Sequence, residues 1–493
     1  MTGSERPSIL LVAYHFAPDN AAGTHRAIHF ARSLHDRGYE VYVLTVPEDY
    51  ARTTDPALNA IFPWEDHILR VGHGITVGNL YLRLKRRLSR RTTNAESAGG
   101  ADGPRSAGAE HSASGRRRDS RRSSLFRTGV FGGLRKHLSA WDALPDLQRA
   151  WYRPAVRAGL QLGRRTPFDA VFASGPPWTG VRVAHRLSRE LGCPLIVDFR
   201  DPWTARTGRQ TRYPAEWCHR VAEAWEKSVF DRASLVLFNS PQIMEAALRH
   251  YDVLEDPHVV TILNGSDAPR REVERPIAFR PPLLFRHFGT LYRGRSVVPL
   301  VHGLQRLIDA GSISPDEVRV ELFGRTGDEE KRLDELSADG VQTDELPTLP
   351  YGEALSRMME PAVLVVSQPS IVSRQIPTKL YDYLCTGNPI LVIGPERGAA
   401  WSLASSFPGC WRLDHSESAK NQGVLAELIA AWRVGSLVQR RSVEDTAALS
   451  KERLGTAFTR AVDDLLGRSG LQPGRTSGSG RVRGGSGEGG SGS

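Results

Sequence analysis

Short apolar runs alternate with amphipathic segments along most of the chain, and this alternation predicts the class of fold. Residues 8–16, SILLVAYHF, form an apolar run with the length of a buried strand. A helical pattern of apolar positions follows over 25–38, and a second apolar run follows over 39–46. A strand, a helix and a strand in this order predict a βαβ unit, in which the two strands lie parallel in one sheet.

The same alternation continues on both sides of a polar segment that is rich in proline and glycine, residues 264–282. The further predicted strands are 168–174, 194–199, 234–239, 283–289, 318–324, 362–367 and 389–394. The expected fold class is therefore α/β, with two Rossmann-like domains, 1–265 and 283–435, and C-terminal helices over 436–468 that return toward the first domain. Ligands of such sheets bind at the carboxyl ends of the strands, so two facing sheets predict a site in the cleft between them.

Two segments, 89–124 and 469–493, contain few large apolar residues and are predicted to be disordered. The net charge of the chain is +10, and the segment 83–136 alone contains fifteen Lys or Arg and four Asp or Glu. Basic clusters are attracted to anionic lipid, so this segment predicts docking on an anionic membrane surface, for which a solvated loop is the alternative. Aromatic residues are not interleaved with the basic ones, so we expect no nucleic-acid partner.

The cysteines and the apolar runs indicate the compartment. The four cysteines are far apart in the sequence, which is typical neither of a zinc site nor of a disulfide framework and suits a reducing cytoplasm. No apolar run approaches the ~20 residues that cross a bilayer. The first residues also lack the pattern of a secretory signal. The sequence therefore predicts a cytoplasmic protein, whose membrane contact would be peripheral and at the inner face.

The segment QIPTKLYDYLCTG, 375–387, has the pattern of a short helix whose charges oppose the helix dipole. Pro377 suits the first helical position. Lys379 lies in the first turn, where a lysine is unfavourable unless an anion binds there as well. Asp382 lies on the same face three residues later and could accept hydrogen bonds from ribose hydroxyls. Lys379 and Asp382 therefore predict a nucleotide clamp, for which a weak ion pair on a solvated face is the alternative.

Three further stretches place candidate binding residues at the ends of predicted strands. Gly23, in the turn that opens the first helix, would let an anion approach the backbone, with a plain strand-to-helix turn as the alternative. Arg200 and Asp201 follow a buried strand, where charged side chains are costly unless they are paired or used. Arg293 and Arg295 follow the first predicted strand of the second domain, where a helix begins, and guanidinium groups suit phosphate oxygens, with a solvated basic turn as the alternative.

These stretches together resemble the retaining glycosyltransferases of the GT-B fold, in glycosyltransferase family four, over most of residues 8–465. The segment 9–34 resembles the opening strand, acceptor loop and first helix of that family. Many members have a histidine near the anomeric carbon in the stretch that corresponds to PLIVDFRDPW, and Arg200 stands there in this chain. The resemblance implies that the second domain holds the sugar donor and the first domain holds the acceptor.

The resemblance also implies roles for residues of the second domain. GTLYRGRS is similar to the family's diphosphate-binding turn, with Arg295 at the lysine position and Thr290 at the arginine position. TKLYDYLCTGNPILV is similar to the family's E-x7-E element, whose second glutamate holds the donor ribose, and Asp382 stands at that position. Arg374 stands where the first glutamate of the element would be, so the contacts to the sugar ring are expected to differ.

The resemblance implies a glycosyltransferase that uses neither a metal nor another cofactor and moves a sugar, with retention, from a nucleotide diphosphate sugar to a glycan or lipid-linked acceptor. In the family's usual scheme the leaving diphosphate helps to deprotonate the acceptor, so the protein mainly stabilises charge. The predicted catalytic residues are Arg200 and Asp201. The predicted donor residues are Gly23, Arg293, Arg295 and Lys379 for the diphosphate and Asp382 for the ribose. Two alternatives are a nucleotide-sugar epimerase of the same fold and a non-catalytic protein that binds nucleotide sugars or nucleic acid.

Overall fold

The structure is a computed structural model. It describes residues 6–74, 140–141, 144–204, 213, 215–251, 259–271, 279–291, 294–327, 340–416, 419–437 and 443–467. The basic segment 83–136, the C-terminal segment 469–493 and Arg293 lie outside the described residues. The predictions made for them therefore stay predictions.

The first sheet contains seven strands, numbered β1 to β7 along the chain. They are Ser8–Val12, Glu40–Thr45, Ile68–Arg70, Ala170–Gly175, Leu195–Phe199, Ala233–Phe238 and Val259–Thr261. All neighbouring strands are parallel, in the order β3-β2-β1-β4-β5-β6-β7. The helices of this part are Ala22–Asp36 (α1), Tyr152–Gly163 (α2), Trp178–Leu191 (α3), Glu216–Phe230 (α4) and Pro241–His250 (α5).

The second sheet contains six parallel strands, β8 to β13, in the order β10-β9-β8-β11-β12-β13. They are Leu283–Phe288, Val318–Phe323, Gln342–Leu346, Val363–Ser367, Ile390–Ile393 and Cys410–Leu413. The helices of this part are Val298–Asp309 (α6), Tyr351–Met359 (α7), Thr378–Thr386 (α8), Ala399–Ala404 (α9) and Ala419–Arg433 (α10). The two sheets confirm the predicted α/β class.

The central strands β1, β4 and β5 are buried along their whole length, because a parallel sheet is covered by helices on both faces. This explains why they appear in the sequence as continuous apolar runs. Helix α1 is instead amphipathic and buries Ala27, Phe30, Ala31 and Leu34, whose spacing of three or four residues places them on one face. The sheet and this helical stripe together make one of the hydrophobic cores of the first part.

The last helices of the described chain are Val443–Ala447 (α11) and Lys451–Leu465 (α12). Helix α12 packs on α1, where the ring of Phe458 stacks on Phe30 with centroids 4.2 Å apart. The hydroxyl of Tyr39 donates to the carboxylate of Asp463 over 2.7 Å. The C-terminal helix therefore belongs to the helical layer of the first sheet, although it follows the second sheet in sequence.

The structure differs from the sequence predictions mainly at the edges of the sheets. Strands β3, β7, β10 and β13 were not predicted; they are short, and most of their residues are only partly buried. An edge strand such as QTDEL in β10 needs no apolar run, because only one side of it is paired. Strand β1 ends at Val12 and not at residue 16, so residues 13–16 already belong to the loop that enters the candidate site.

Candidate active site

The carboxyl ends of the two sheets contact each other directly. Ser240, just after β6, donates its hydroxyl to the backbone oxygen of Arg374, over 2.6 Å. Gln375, in the loop between β11 and α8, donates its side-chain amide to Oδ1 of Asp201, over 2.7 Å. Since parallel α/β sheets bind ligands at these ends, the residues that line this contact form the candidate site.

Arg200 and Gly23 lie against each other at the first sheet's edge. A Cβ atom on Gly23 would be 2.7 Å from a terminal nitrogen of the Arg200 guanidinium, so a larger residue in this first turn of α1 would displace the guanidinium. The guanidinium donates to the backbone oxygen of Pro176, and burial lowers the pKa of Arg200 while Asp201 and Asp198 oppose this. Its Nε is buried without a partner among the described residues. The arrangement places a cation beside the amide groups that open a helix, which favours an anion.

Asp198 has a structural partner and does not face the site. Its carboxylate is fully buried and accepts two hydrogen bonds of 2.9 Å from Nε and Nη2 of Arg26. Ser174 donates a third hydrogen bond to it over 2.6 Å. Arg26 also donates to the backbone oxygens of Ile262 and Leu263, each over 2.7 Å. The acidic residue two positions before Arg200 is therefore part of a buried ion pair that holds α1 to the chain after β7.

Lys379 lies in the first turn of α8, as its sequence pattern predicted, although Pro377 is the residue before the helix and not its first residue. Its ammonium is largely buried and donates to the backbone oxygen of Phe288, at the end of β8. Gly289, with φ of +104°, leaves room for it, since a Cβ there would be 2.9 Å from Nζ. Burial, and then the charge of Arg295, lower the pKa of Lys379 to about 8. Among the described residues no carboxylate pairs with this ammonium.

Asp382 lies one turn after Lys379, but its carboxylate has different neighbours. Oδ1 accepts a hydrogen bond of 2.5 Å from the hydroxyl of Ser266, in the connection between the sheets, and one of 3.3 Å from Tyr351. Burial raises the pKa of Asp382, and these two hydrogen bonds oppose the rise. The structure therefore directs Lys379 to the end of β8 and Asp382 to the connecting segment, and it shows no ion pair between them in the described part of the chain.

One arrangement at this edge was missed by the sequence interpretation. His15, three residues beyond the end of β1, lies with its Nδ1 2.5 Å from Oδ2 of Asp19. Asp19 also accepts from the backbone N–H of Ala21 over 3.1 Å, which fixes its carboxylate. The available signal was a histidine and an acidic residue four positions apart, directly after a buried strand.

The part of the chain that the structure describes contains no group of three or more His, Cys, Asp or Glu side chains placed to share a metal ion. It also contains no helix that is both long and apolar enough to span a bilayer.

Comparison with known structures identifies the class of the fold. The crystal structure of Anabaena HepE with UDP has 12% sequence identity to this chain and a TM-score of 0.52. The match covers 93% of this chain and 100% of the HepE chain. The lipopolysaccharide outer core galactosyltransferase WaaB (11% identical, coverage 93% and 99%) has a TM-score of 0.52. A glycosyltransferase from Rickettsia africae (10% identical, coverage 94% and 100%) has a TM-score of 0.54. The chain therefore has the two-domain GT-B fold of glycosyltransferases.

The family comparison concerns the first half of the chain. The family model described as a glycosyl transferase 4-like domain matches residues 23–265, which include α1, Arg200 and Asp201. This part of the chain is similar to the glycosyl transferase 4-like family, in agreement with the resemblance seen in the sequence. A search of the curated proteins gave no match.

Proposed function

We propose that this protein is a glycosyltransferase that moves a sugar from a nucleotide diphosphate sugar to a glycan or lipid-linked acceptor, with retention and without a metal or another cofactor. The observation that carries this proposal is the ammonium of Lys379, which is largely buried and has no carboxylate partner among the described residues. A buried charge is costly unless it is paired. A diphosphate at the end of β8, where Arg295 is also close, would supply the missing negative charge.

The other donor contacts follow from the same placement. Arg295, and Arg293 two residues before it, would bind the diphosphate together with Lys379, while Gly23 and Arg200 would contact it from the first sheet. Asp382 would bind the ribose. Its Oδ1 is occupied by Ser266, and Oδ2 has no hydrogen bond among the described residues, so this second oxygen is free to accept from a ribose hydroxyl.

The chemistry needs little from the protein except positive charge. In the retaining scheme the acceptor attacks from the face on which the diphosphate leaves, and negative charge develops on the leaving group. Lys379 and Arg295 from one sheet and Arg200 from the other would stabilise that charge. Arg200 cannot act as a base, since a guanidinium stays protonated. Asp201 would act beside it at the transferred sugar, and its hydrogen bond with Gln375 already joins the two edges.

The donor proposal predicts a selective thermal shift. Purified protein would be screened with UDP-, GDP-, ADP- and dTDP-sugars, beginning with UDP-glucose because the similar structure of HepE contains it. A donor that binds only the folded state raises the melting temperature. We expect the sugars of one nucleotide class to stabilise the wild type, and we expect Asp382→Ala to lose most of that stabilisation. Ser266→Ala, which keeps the carboxylate, should retain it.

The control for this screen is Asp316→Ala, which removes an exposed carboxylate before β9, at the opposite end of the second sheet. It should retain the full thermal shift. If all four classes of donor leave the melting temperature of the wild type unchanged, the donor site is not where we place it. If Asp382→Ala responds as the wild type does, the ribose contact is wrong and the diphosphate contacts stand alone.

We also infer that the protein works in the cytoplasm, at the inner face of a membrane. The support is the charge of the segment 83–136, together with the exposed Arg153 and Arg157 on α2, a helix that carries no acidic residue. Removal of residues 89–124 is expected to abolish most binding to phosphatidylglycerol vesicles in a flotation assay, because it removes most of the basic residues that attract anionic lipid. Added salt should weaken the binding of the wild type, because salt screens this attraction. Removal of 469–493 should change little. Equal flotation after both deletions would exclude the segment as the docking site.

A further inference from the structure

Glu226 is a carboxylate buried in the first domain, and the proposed function does not use it. It lies on α4 and is only 2% exposed. Asp198, the other buried acid close to β5, pairs with Arg26, whereas no ion pair among the described residues includes Glu226. A buried acid without a counter-charge is costly, and such groups are frequent at functional sites.

Three donors converge on one oxygen of this carboxylate. Oε2 of Glu226 accepts from the backbone N–H of Thr204 over 3.0 Å and also from the hydroxyl of Thr204. The hydroxyl of Tyr251, the residue after α5, donates to the same oxygen over 2.7 Å. Glu226 therefore joins α4 and the end of α5 to a single residue of the chain after β5, through contacts that require a good acceptor.

Thr204 lies at one end of the short stretch that contains Arg200 and Asp201. At the other end, the backbone N–H of Arg200 donates to the last residue of β4 over 3.0 Å. Between them Trp203 is fully buried, and its ring stacks on Trp178 of α3 with centroids 4.9 Å apart. Because the stretch has only five residues, the position of Thr204 also determines where Arg200 and Asp201 lie.

The neighbouring helices bring no cation to Glu226 in the described part of the chain. His219 of α4 and His250 of α5 lie 3.2 and 3.3 Å from Glu223, one turn earlier. The guanidinium of Arg182, on α3, lies over the ring of the tryptophan that precedes Glu226. The charge of Glu226 is therefore stabilised by hydrogen bonds.

These hydrogen bonds depend on the protonation of Glu226. Burial raises the pKa of Glu226 to about 7, the hydrogen bonds from Thr204 and Tyr251 oppose the rise, and the charge of Glu223 adds to it. Hydrogen bonds to an ionised acceptor are roughly twice as strong as those between neutral groups. Ionised Glu226 therefore holds Thr204 firmly, and the protonated carboxyl holds it weakly.

We propose that ionised Glu226 is a positioning residue, which acts through Thr204 to hold Arg200 and Asp201 in place for glycosyl transfer. This inference rests on the proposed function, in which Arg200 stabilises the leaving diphosphate and Asp201 acts at the transferred sugar. Glu226 itself touches neither. Protonation should release Thr204, so the charge of Arg200 would be less well placed where negative charge develops.

The test is the pH dependence of kcat, measured as release of nucleoside diphosphate. It uses the full chain, a saturating concentration of the donor that gives a thermal shift, and water or methanol as the acceptor. Saturation keeps the effect of Lys379 on donor binding out of the measurement. We expect kcat of the wild type to fall about tenfold from pH 8 to pH 6. Glu226→Gln, which resembles the protonated carboxyl, should be about tenfold or more slower than the wild type at pH 8 and nearly independent of pH.

Two further variants keep the carboxylate and change its pKa. Thr204→Val and Tyr251→Phe each remove a hydroxyl that lowers the pKa of Glu226, so the fall in kcat should move to higher pH in both. A purely structural role would lower kcat by the same factor at every pH. These variants also test the proposal if Glu226→Gln does not fold. A fall in kcat that stays at the wild-type pH in both variants overturns the proposal.

Stability separates the loss of positioning from unfolding, because it should change in the opposite direction. The pKa of Glu226 in the folded protein lies above its ordinary value of 4.5, so between these values the folded state binds a proton that the unfolded state does not. The wild type should therefore gain stability relative to Glu226→Gln as the pH falls from 8 to 6. The difference between their melting temperatures should rise over the range in which kcat of the wild type falls.

The matched control is Glu216→Gln. Glu216 opens the same helix, but it is exposed and lies 3.6 Å from Arg220. This variant should have the kcat and the pH profile of the wild type.

The proposal is overturned if Glu226→Gln turns over within twofold of the wild type at pH 8, or if it keeps the fall in kcat toward pH 6. A wild type that binds the donor but transfers to neither acceptor overturns the positioning role and leaves the donor site intact. A wild type that binds no donor overturns the proposed function itself.

Discussion

Replacement of Lys379 by methionine is expected to weaken the binding of the donor nucleotide by about 10- to 100-fold, because a hydrogen bond to a charged group contributes ~1.5–3 kcal/mol. The measurement is isothermal titration with the nucleoside diphosphate of the donor class found by thermal shift. Methionine fills a similar volume and removes both the desolvated charge and the donor to Phe288, so the stability of the free protein should change little. A variant that is as stable as the wild type but does not bind would show that the ammonium acts on the ligand.

The low pKa of Lys379 gives a second readout of the same interaction. The pKa is about 8 in the free protein, and a bound diphosphate would raise it, so binding takes up a proton above that pH. Affinity for the nucleoside diphosphate should therefore fall by about tenfold between pH 7 and pH 9, and Lys379→Met should lose this dependence. Lys420→Met changes an exposed lysine of α10 and should behave as the wild type. A pH dependence that persists in Lys379→Met would assign it to another group.

The sequence was sufficient for the central part of each sheet. Apolar runs such as SILLV in β1 and VLVVS in β11 are buried on both faces, so their hydrophobicity is determined by local position alone. The short helix around Lys379 was predicted for a similar reason, since the apolar stripe of Leu380, Tyr383 and Leu384 and the stop at Gly387 are local signals. Gly387 takes the left-handed conformation, with φ of 75°, that ends a helix.

The partners of the candidate site residues could not be predicted in this way, because they come from distant parts of the chain. Asp382 accepts from Ser266, which is 116 residues earlier. Lys379 contacts Phe288, which is 91 residues earlier. A helical pattern gives the face on which Lys379 and Asp382 lie, but not that their side chains contact different neighbours. The clamp predicted for the two residues stays a prediction, and the structure adds the distant neighbours of each side chain.

Asp198 and Asp201 show the same difference within one short stretch. The sequence left open whether an acidic residue beside Arg200 pairs with an arginine or serves the site. In the structure Asp198 pairs with Arg26, which is 172 residues earlier in the chain. Asp201 lies at the carboxyl edge of the first sheet and accepts a hydrogen bond from Gln375. The position along the strand is part of the reason. Asp198 lies within β5, which is buried, whereas Asp201 lies beyond the end of β5.

Among the ion pairs described, the buried pair of Arg26 and Asp198 should be the most costly to break by removal of one partner. Arg26→Leu is expected to destabilise the protein by ~3–5 kcal/mol, because it leaves a buried carboxylate without its counter-charge. It also removes the donors to the backbone oxygens of Ile262 and Leu263. The measurement is the melting temperature or the denaturant midpoint of the variant against the wild type. Arg32→Leu, on the same helix but in an exposed pair with Asp36, should cost only a few tenths of a kcal/mol.

A double variant separates the unpaired charge from the other lost contacts. Arg26→Leu combined with Asp198→Leu removes both charges, and removal of both partners is much less costly than removal of one. The double variant should therefore be more stable than Arg26→Leu alone, by an amount that reports the burial of the lone carboxylate. What remains of the loss belongs to the unsatisfied backbone oxygens after β7. If the double variant is no more stable than Arg26→Leu, the lone carboxylate is not the main cost. The hydrogen bonds of Arg26 to the backbone oxygens of Ile262 and Leu263 would then be its dominant contribution to the free energy of unfolding.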